Sequence, residues 1–229
     1  MRPFPLMLFA AGFGTRMGAL TAERPKPLIR VAGRPLIDHA LALADAAQVA
    51  PVVVNLHYRG DQIADHLRRR NLLLSWEKPD ILDTGGGLKA ALPLLGPGAV
   101  MTLNTDAVWT GQNPLQELAA AWDGARMEAL LLLLPVAQAL GHGGKSDFRL
   151  SPEGRIGWAA GAEGHVYLGA QILAPEAVSA IAEPVFGLRR VWDDLIARGR
   201  AHGLVHRGGW CDVGHPGGIA QAEKMLHHD

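Results

Sequence analysis

The sequence predicts an α/β fold, in which a Rossmann-like, mostly parallel and twisted sheet carries helices on both faces. Short apolar runs alternate with helix-like segments through the first 135 residues, and this alternation is typical of a parallel sheet. Runs such as "PLMLFA" and "EALLLLLP" are apolar throughout, as expected of strands covered on both sides. At 229 residues and 48% hydrophobic composition, the chain can bury a sizeable core within one domain.

The first part of the chain divides into five predicted strands and four predicted helices. Proline at the first turn and apolar residues three to four apart support the helices. The fourth strand ends on the polar triplet "NTD". The strands are predicted at 5–10, 51–56, 71–76, 99–106 and 128–135, and the helices at 35–47, 61–70, 86–95 and 113–122.

The second part of the chain is less regular. We predict a hairpin over 147–160 with "PEG" as its turn, a strand over 164–173, and helices over 187–203 and 218–228. No linker separates these elements from the first part. We therefore interpret residues 1–229 as a single domain with a small substrate or lid region.

Composition narrows the class of protein. Lys+Arg and Asp+Glu both number 22, which disfavours a nucleic-acid binder that depends on bulk charge. The single cysteine, Cys211, cannot form an internal disulfide, which fits a reducing compartment. The apolar run near the N-terminus is short, contains Pro5 and leads into a glycine loop, unlike a signal peptide. We expect a cytoplasmic protein, monomeric or homodimeric, with no membrane or nucleic-acid partner.

The segment "LFAAGFGTRMGALTAERPKPL", residues 8–28, predicts a phosphate site. Its glycines, Gly12, Gly14 and Gly18, do not fit the dinucleotide pattern G-x-G-x-x-G, because the third comes one residue late. The only candidate for the nucleotide-binding pattern G-x-x-x-x-G-K-[ST] is "ALGHGGKS", where Ala139 replaces the first glycine.

A third type of phosphate site fits this segment better. Glycines let backbone N–H groups approach phosphate oxygens, Arg16 adds a planar set of donors, and the prolines on both sides of Lys26 restrict its position. This loop, the loop at 83–87 and Asp106 all fall at the carboxyl ends of predicted strands. Ligands of such sheets bind at the carboxyl ends of the strands, so we expect the three to converge there.

Residues 8–37, "LFAAGFGTRMGALTAERPKPLIRVAGRPLI", resemble the N-terminal signature of the sugar-phosphate nucleotidyltransferases, with Ala19 where the family usually has proline. "LNTDAVW" and "GGWCDVGHP" resemble the two metal-binding motifs of that family, the second with His215 in place of threonine. The resemblance implies that Asp106 and Asp212 hold Mg²⁺, a cation that prefers oxygen ligands. Sequence spacing alone does not pair these two aspartates.

The resemblance also implies functional residues in both parts of the chain. "ILDTGGGLKAALPLL" resembles the loop that holds the nucleobase in short bacterial members, and "GHGGKSDFRL" and "VYLGAQIL" resemble their sugar-binding segments. Residues 1–135 would then mainly bind nucleotide, and 136–229 mainly bind the sugar and close the metal site. The implied residues are catalytic Arg16, Lys26 and Asp106; nucleotide-binding Ala11, Gly12, Gly14, Thr15, Arg16, Lys26, Thr84, Gly85, Gly86 and Asn104; and sugar-binding Lys145, Asp147, Tyr167 and Gly169.

The implied reaction joins a nucleoside triphosphate to a sugar 1-phosphate and releases pyrophosphate. UTP with N-acetylmuramate 1-phosphate, in cell-wall sugar recycling, is the first expectation. A mannose-1-phosphate guanylyltransferase using GTP remains open, as does a non-catalytic regulatory protein that binds nucleotide sugars. Retention of Arg16, Lys26 and both aspartates disfavours the regulatory protein, because a sensor does not need the metal ligands. The chemistry requires no cysteine nucleophile.

Overall fold

The computed structural model describes residues 3–227, which fold around a nine-stranded mixed sheet and two short ribbons. The strands are β1 Leu6–Phe9, β2 Arg30–Val31, β3 Arg34–Pro35, β4 Val52–Leu56, β5 Leu73–Trp76, β6 Val100–Asn104, β7 Ala107–Thr110, β8 Ala129–Pro135, β9 Phe148–Leu150, β10 Ile156–Trp158, β11 His165–Leu173, β12 Ala201–Val205 and β13 Gly209–Asp212. The helices are α1 Leu36–Ala47, α2 Gly60–Leu67, α3 Asp83–Leu95, α4 Pro114–Ala121, α5 Pro175–Ser179, α6 Leu188–Ala197 and α7 Pro216–His227.

The main sheet confirms the predicted mostly parallel architecture. Strands β5, β4, β1 and β6 are neighbours in that order and run parallel. The antiparallel strand β11 lies between β6 and β8, and β12 pairs with β8 in parallel. The β9–β10 hairpin attaches to the start of β11. The carboxyl ends of β1, β4 and β6 therefore meet at one edge of the sheet.

Helices cover both faces of this sheet because the strand residues are apolar on both sides. In β1, Leu6 and Leu8 join the cluster that contains α1, α2 and α4. Met7 points to the opposite cluster, which contains α3, α5 and α6. Alternate residues of a strand face opposite sides of a sheet, so a continuously apolar strand joins two cores.

The second part of the chain departs from prediction in several places. The predicted helix over 187–203 is wrong beyond Ala197, because Gly199 takes a φ of +66° after the helix and residues 201–205 form β12. The helix expected over 218–228 corresponds to α7, and residue 228 lies outside the described part. Helix α5 was not predicted either, and neither were two ribbons, β2–β3 within the first part of the chain and β7–β13 between the two parts. No helix within residues 3–227 is long and apolar enough to cross a membrane.

Candidate active site

A cavity of about 310 Å³ opens at the carboxyl ends of β1, β4 and β6. It lies where the parallel sheet predicts a ligand site. Its lining includes the predicted metal ligand Asp106 and most of the residues predicted to bind nucleotide, namely Ala11, Gly12, Gly14, Thr15, Arg16, Lys26, Thr84 and Asn104. The remaining lining residues are Phe9, Ala10, Pro27, Asn55, Glu77, Ile81, Asp83, Thr105 and Gly214.

The glycine loop follows β1, and its residues Gly12 and Gly14 line this cavity. Within residues 3–227, the N–H groups of Gly12, Phe13 and Gly14 donate no hydrogen bond to another protein group. Gly14 has a φ of +65°, and a Cβ there would lie 2.9 Å from Cβ of Lys26. The hydroxyl of Thr21 donates to the carbonyl of Gly14 at 3.1 Å and fixes the loop from behind. Such a row of backbone donors suits an anion.

Lys26 is a buried lysine at the centre of the site. It lies between Pro25 and Pro27 and begins a short 3₁₀ turn, Lys26–Leu28. Its side chain is 10% exposed, and its Nζ lies 2.7 Å from Oδ2 of Asp106. A buried ammonium needs a charged partner, and Asp106, in the two-residue connection between β6 and β7, supplies it. The predicted catalytic lysine and aspartate are therefore in direct contact.

Asp212 reaches the same edge through the β7–β13 ribbon. In that ribbon Asp212 is the partner of Ala107, and the N–H of Val213 donates to the carbonyl of Asp106 at 2.8 Å. Burial raises the pKa of the Asp212 carboxyl, and the charge of Asp106 raises it further, whereas Lys26 and Arg16 oppose the shift. The pairing of the two aspartates, which spacing could not provide, comes from this long-range strand contact.

Arg16 lies close to Asp212 on the outer side of the cavity. A Cβ on Gly214 would lie 2.5 Å from Oδ2 of Asp212 and 2.9 Å from Nη1 of Arg16. The absence of a side chain at Gly214 thus lets the guanidinium and the carboxylate approach the same point. Two cationic side chains, Arg16 and Lys26, and two carboxylates, Asp106 and Asp212, therefore lie next to the glycine loop.

The glycines of the predicted base loop make tight internal contacts. The N–H groups of Gly85 and Gly86 both donate to the carbonyl of Phe186 at 2.9 Å. A Cβ on Gly86 would lie 2.2 Å from the carbonyl oxygen of Pro184. These two N–H groups are therefore already occupied, and neither glycine lines the cavity. Thr84, which does line it, accepts a hydrogen bond on its hydroxyl from the N–H of Leu188 at 3.0 Å.

The four residues predicted to bind the sugar lie outside the lining of this cavity. Asp147 accepts a hydrogen bond from the backbone N–H of Tyr167 at 2.9 Å. The Tyr167 hydroxyl is buried, and burial raises its pKa. Gly169 has a φ of +81° and packs on Asn104, 2.7 Å from where its Cβ would stand. Lys145 is exposed.

Asn55 and Glu77 are polar cavity residues that the sequence analysis missed. Asn55 lies in β4 next to its last residue, and Glu77 directly follows β5. Both are nearly fully buried, at 3% and 1% exposed. The rule that identified Asp106, a polar side chain at the carboxyl end of a parallel strand, applies equally to them and would have found them.

The two aspartates match the ligands that Mg²⁺ takes in nucleotide sites, one or two carboxylates together with substrate phosphates. Burial and, to a smaller extent, the charge of Asp106 raise the pKa of Asp212, and a bound divalent cation would favour the charged form of both carboxylates. Among residues 3–227, no cluster of three or more His, Cys, Asp or Glu side chains is arranged to hold a metal by itself. The donor set therefore fits a cation shared with a phosphate ligand.

A mostly parallel sheet with cationic and carboxylate side chains around a cavity at its carboxyl edge is the arrangement expected of a nucleotidyltransferase. The chain belongs to the MobA-like NTP transferase family, whose model matches residues 6–144. It is 39% identical to the N-acetylmuramate alpha-1-phosphate uridylyltransferase of Caulobacter vibrioides over 231 residues, which span 96% of each chain. The enzyme with the same name from Neisseria meningitidis is 32% identical over 227 residues, again 96% of each chain.

More distant relatives share the fold. A mannose-1-phosphate guanyltransferase of Hypocrea jecorina is 25% identical over 92% of this chain, which spans 60% of that longer protein. A UDP-glucose pyrophosphorylase, solved with UDP-glucose, superposes with a TM-score of 0.81 at 16% identity and covers 99% of both chains. HddC from Yersinia pseudotuberculosis gives a TM-score of 0.78 at 17% identity, with 97% of this chain and 99% of that chain covered. The predicted family and fold class are confirmed.

Proposed function

We propose that the protein transfers a uridylyl group from UTP to N-acetylmuramate 1-phosphate, forming the UDP-sugar and pyrophosphate. The similarity to two N-acetylmuramate alpha-1-phosphate uridylyltransferases over 96% of each chain supports this choice of substrates. The first of these relatives, at 39% identity, is much more similar than the mannose-1-phosphate guanyltransferase at 25%.

The contact between Lys26 and Asp106, at 2.7 Å inside the cavity, carries the proposal. In this contact the buried ammonium of Lys26 lies beside the carboxylate of Asp106, next to the glycine loop with its unpaired backbone N–H groups. A dinucleotide-binding loop needs no such pair. A reaction that brings two phosphate anions together needs both a cation to offset their repulsion and carboxylates that hold a metal.

In the proposed reaction, a non-bridging phosphate oxygen of the sugar 1-phosphate attacks the α-phosphorus of the nucleotide. The bond between the α-phosphorus and the oxygen that bridges to the β-phosphorus breaks, and pyrophosphate leaves with that oxygen and its electron pair. The attacking phosphate is already an anion near neutral pH, so the site needs no general base. The protein mainly contributes positioning and charge stabilisation.

Each charged residue has a defined task in this scheme. The N–H groups of residues 12–14 bind oxygens of the triphosphate, and Arg16 binds the β- and γ-phosphates on the outer side. Lys26 neutralises the α-phosphate or the phosphate of the sugar. Asp106 and Asp212 would hold Mg²⁺, which supplies charge neutralisation to the phosphates when bound.

The remaining parts of the proposal concern the base, the sugar and the location in the cell. Thr84 with the adjoining main chain holds the base, and Asn104 lies beside the nucleotide. The loop with Lys145 and Asp147 and the strand with Tyr167 and Gly169 form the sugar side, where Asp147 and Tyr167 support the wall. The buried, unpaired Cys211 supports a cytoplasmic location.

A screen of pyrophosphate release tests this function. Four nucleoside triphosphates are combined with a panel of sugar 1-phosphates that includes the N-acetylmuramate, N-acetylglucosamine, glucose and mannose derivatives. We expect the highest kcat/KM for UTP with N-acetylmuramate 1-phosphate. A preference for GTP with mannose 1-phosphate would replace the proposed substrates, and tight nucleotide-sugar binding without turnover would indicate a regulatory protein.

A further inference from the structure

A continuous line of hydrogen bonds connects the glycine loop to the base loop beneath the cavity. The N–H of Ala10 donates to Oδ1 of Asn55 at 2.7 Å. Nδ2 of Asn55 donates to Oε1 of Glu77 at 2.7 Å. Oε2 of Glu77 then accepts from the N–H of Leu82 at 2.8 Å. Ala10 directly precedes the glycine loop, and Leu82 directly precedes α3, whose start contains the glycines of the base loop. The Asn55–Glu77 link therefore joins the two loops that would hold the nucleotide.

The surroundings of this link leave little freedom for it to rearrange. Asn55 is 3% exposed and Glu77 is 1% exposed. Gly87 of α3 lies directly above, and a Cβ there would stand 2.4 Å from Oε1 of Glu77 and 3.1 Å from Nδ2 of Asn55. The third glycine of the base loop therefore makes room for the link. Because buried polar groups are costly to leave unpaired, the two loops are held in one relative position.

We propose that Asn55 and Glu77 are positioning residues that fix the distance between the triphosphate loop and the base loop, and hence the affinity for the nucleoside triphosphate. Both side chains line the cavity, and each of their polar atoms already hydrogen-bonds within the protein, so we assign them a positioning role in the site. This inference rests on the proposed nucleotidyltransferase function for its kinetic consequences, although the mechanical link itself does not.

Single substitutions break the link through mismatched donors and acceptors. In Glu77→Gln, the new amide cannot accept from both Leu82 and Asn55, so two donors face each other. In Asn55→Asp, the new carboxylate faces the carboxylate of Glu77. We expect each variant to lower kcat/KM by about 10- to 100-fold. The loss should fall on KM for UTP and leave KM for the sugar 1-phosphate unchanged.

The double variant Asn55→Asp/Glu77→Gln reverses the amide and the carboxylate and can keep every hydrogen bond. Asp at position 55 accepts from Ala10 and from the new amide at position 77, whose oxygen accepts from Leu82. We expect KM for UTP to return to within about threefold of wild type, a recovery that a carboxylate acting directly on the base would not allow. Asp80→Asn, which neutralises an exposed carboxylate of the same loop, is the control and should leave KM unchanged.

Amide hydrogen exchange measures the link without relying on turnover. We expect faster exchange in both residues 10–16 and residues 82–87 in each single variant, and wild-type rates in the double variant. A double variant that stays as impaired as the singles, or singles whose exchange changes at one loop only, would overturn the proposal. If wild type turns over no substrate pair, the proposed function fails, and the exchange data still decide whether the link couples the two loops.

Discussion

Replacement of Lys26 with methionine removes the central cation and keeps most of the side-chain volume. The Lys26 side chain is 10% exposed and that of Asp106 is 31% exposed, so Asp106 remains partly hydrated after the change. Because Asp106 loses its partner but keeps some contact with water, we expect the free energy of unfolding to fall by about 1–2 kcal/mol, or about 2–8 °C in Tm for a chain of this size. Losing a preorganised charge beside the reacting phosphates should lower kcat by about 10²–10³.

These unequal magnitudes let one experiment separate catalysis from folding. Steady-state pyrophosphate release gives kcat, and a thermal melt of the same preparation gives Tm. Lys224→Met, which changes an exposed lysine on α7, is the matched control and should preserve both values. If Lys26→Met keeps kcat within about threefold of wild type while remaining folded, the role assigned to the Lys26–Asp106 contact is incorrect.

Three further substitutions test other parts of the site. Asp212→Asn should abolish turnover but raise stability at pH 7 in metal-free buffer, measured by urea unfolding. Because the pKa of Asp212 is raised in the folded protein, the free energy of unfolding falls as pH rises from the unfolded-state pKa to the folded-state pKa. Asparagine does not ionise, so the variant should lack this fall. Equal pH dependence of stability in wild type and variant would contradict the reasoning. Gly14→Ala should lower kcat/KM more than tenfold, because the new Cβ displaces Lys26. Gly33→Ala is the control, since Gly33 has a φ of +74° and open space around it. It should lose a similar amount of stability, about 1–2 kcal/mol, which is the cost of a left-handed backbone for alanine, and retain activity. Burial raises the pKa of the Cys211 thiol to about 11, so Cys211→Ala should keep wild-type kcat between pH 6 and 9, and a large loss in that range would indicate a role for the thiol.

Local chemistry in the sequence was sufficient to predict one edge of the candidate site. The apolar strands predicted the parallel sheet, and the glycine loop and the polar residues after β6 predicted the edge where the structure has a cavity. The same rule applied to β4 and β5 would have included Asn55 and Glu77. They were overlooked because a lone asparagine and a lone glutamate carry no motif, and their function depends on a partner in another loop.

The sequence could not predict contacts between distant parts of the chain, nor which backbone groups those contacts occupy. Asp106 and Asp212 meet through the β7–β13 ribbon, a contact between distant parts of the chain with no local signal. Gly85 and Gly86 looked suited to contact a base, but the segment that ends at Phe186 uses their N–H groups. The end of α6 could have been predicted from the sequence, because a glycine in the left-handed conformation commonly follows the last turn of a helix. Gly199 has this conformation.

The most direct test of the central claim follows the oxygen atoms of the proposed reaction. N-acetylmuramate 1-phosphate labelled with ¹⁸O at its non-bridging phosphate oxygens is incubated with UTP, and the products are examined by ³¹P NMR. We predict ¹⁸O in the UDP-sugar, including its bridging oxygen, and none in the released pyrophosphate. Label in pyrophosphate, or an unlabelled bridging oxygen, would contradict attack by the sugar phosphate on the α-phosphorus.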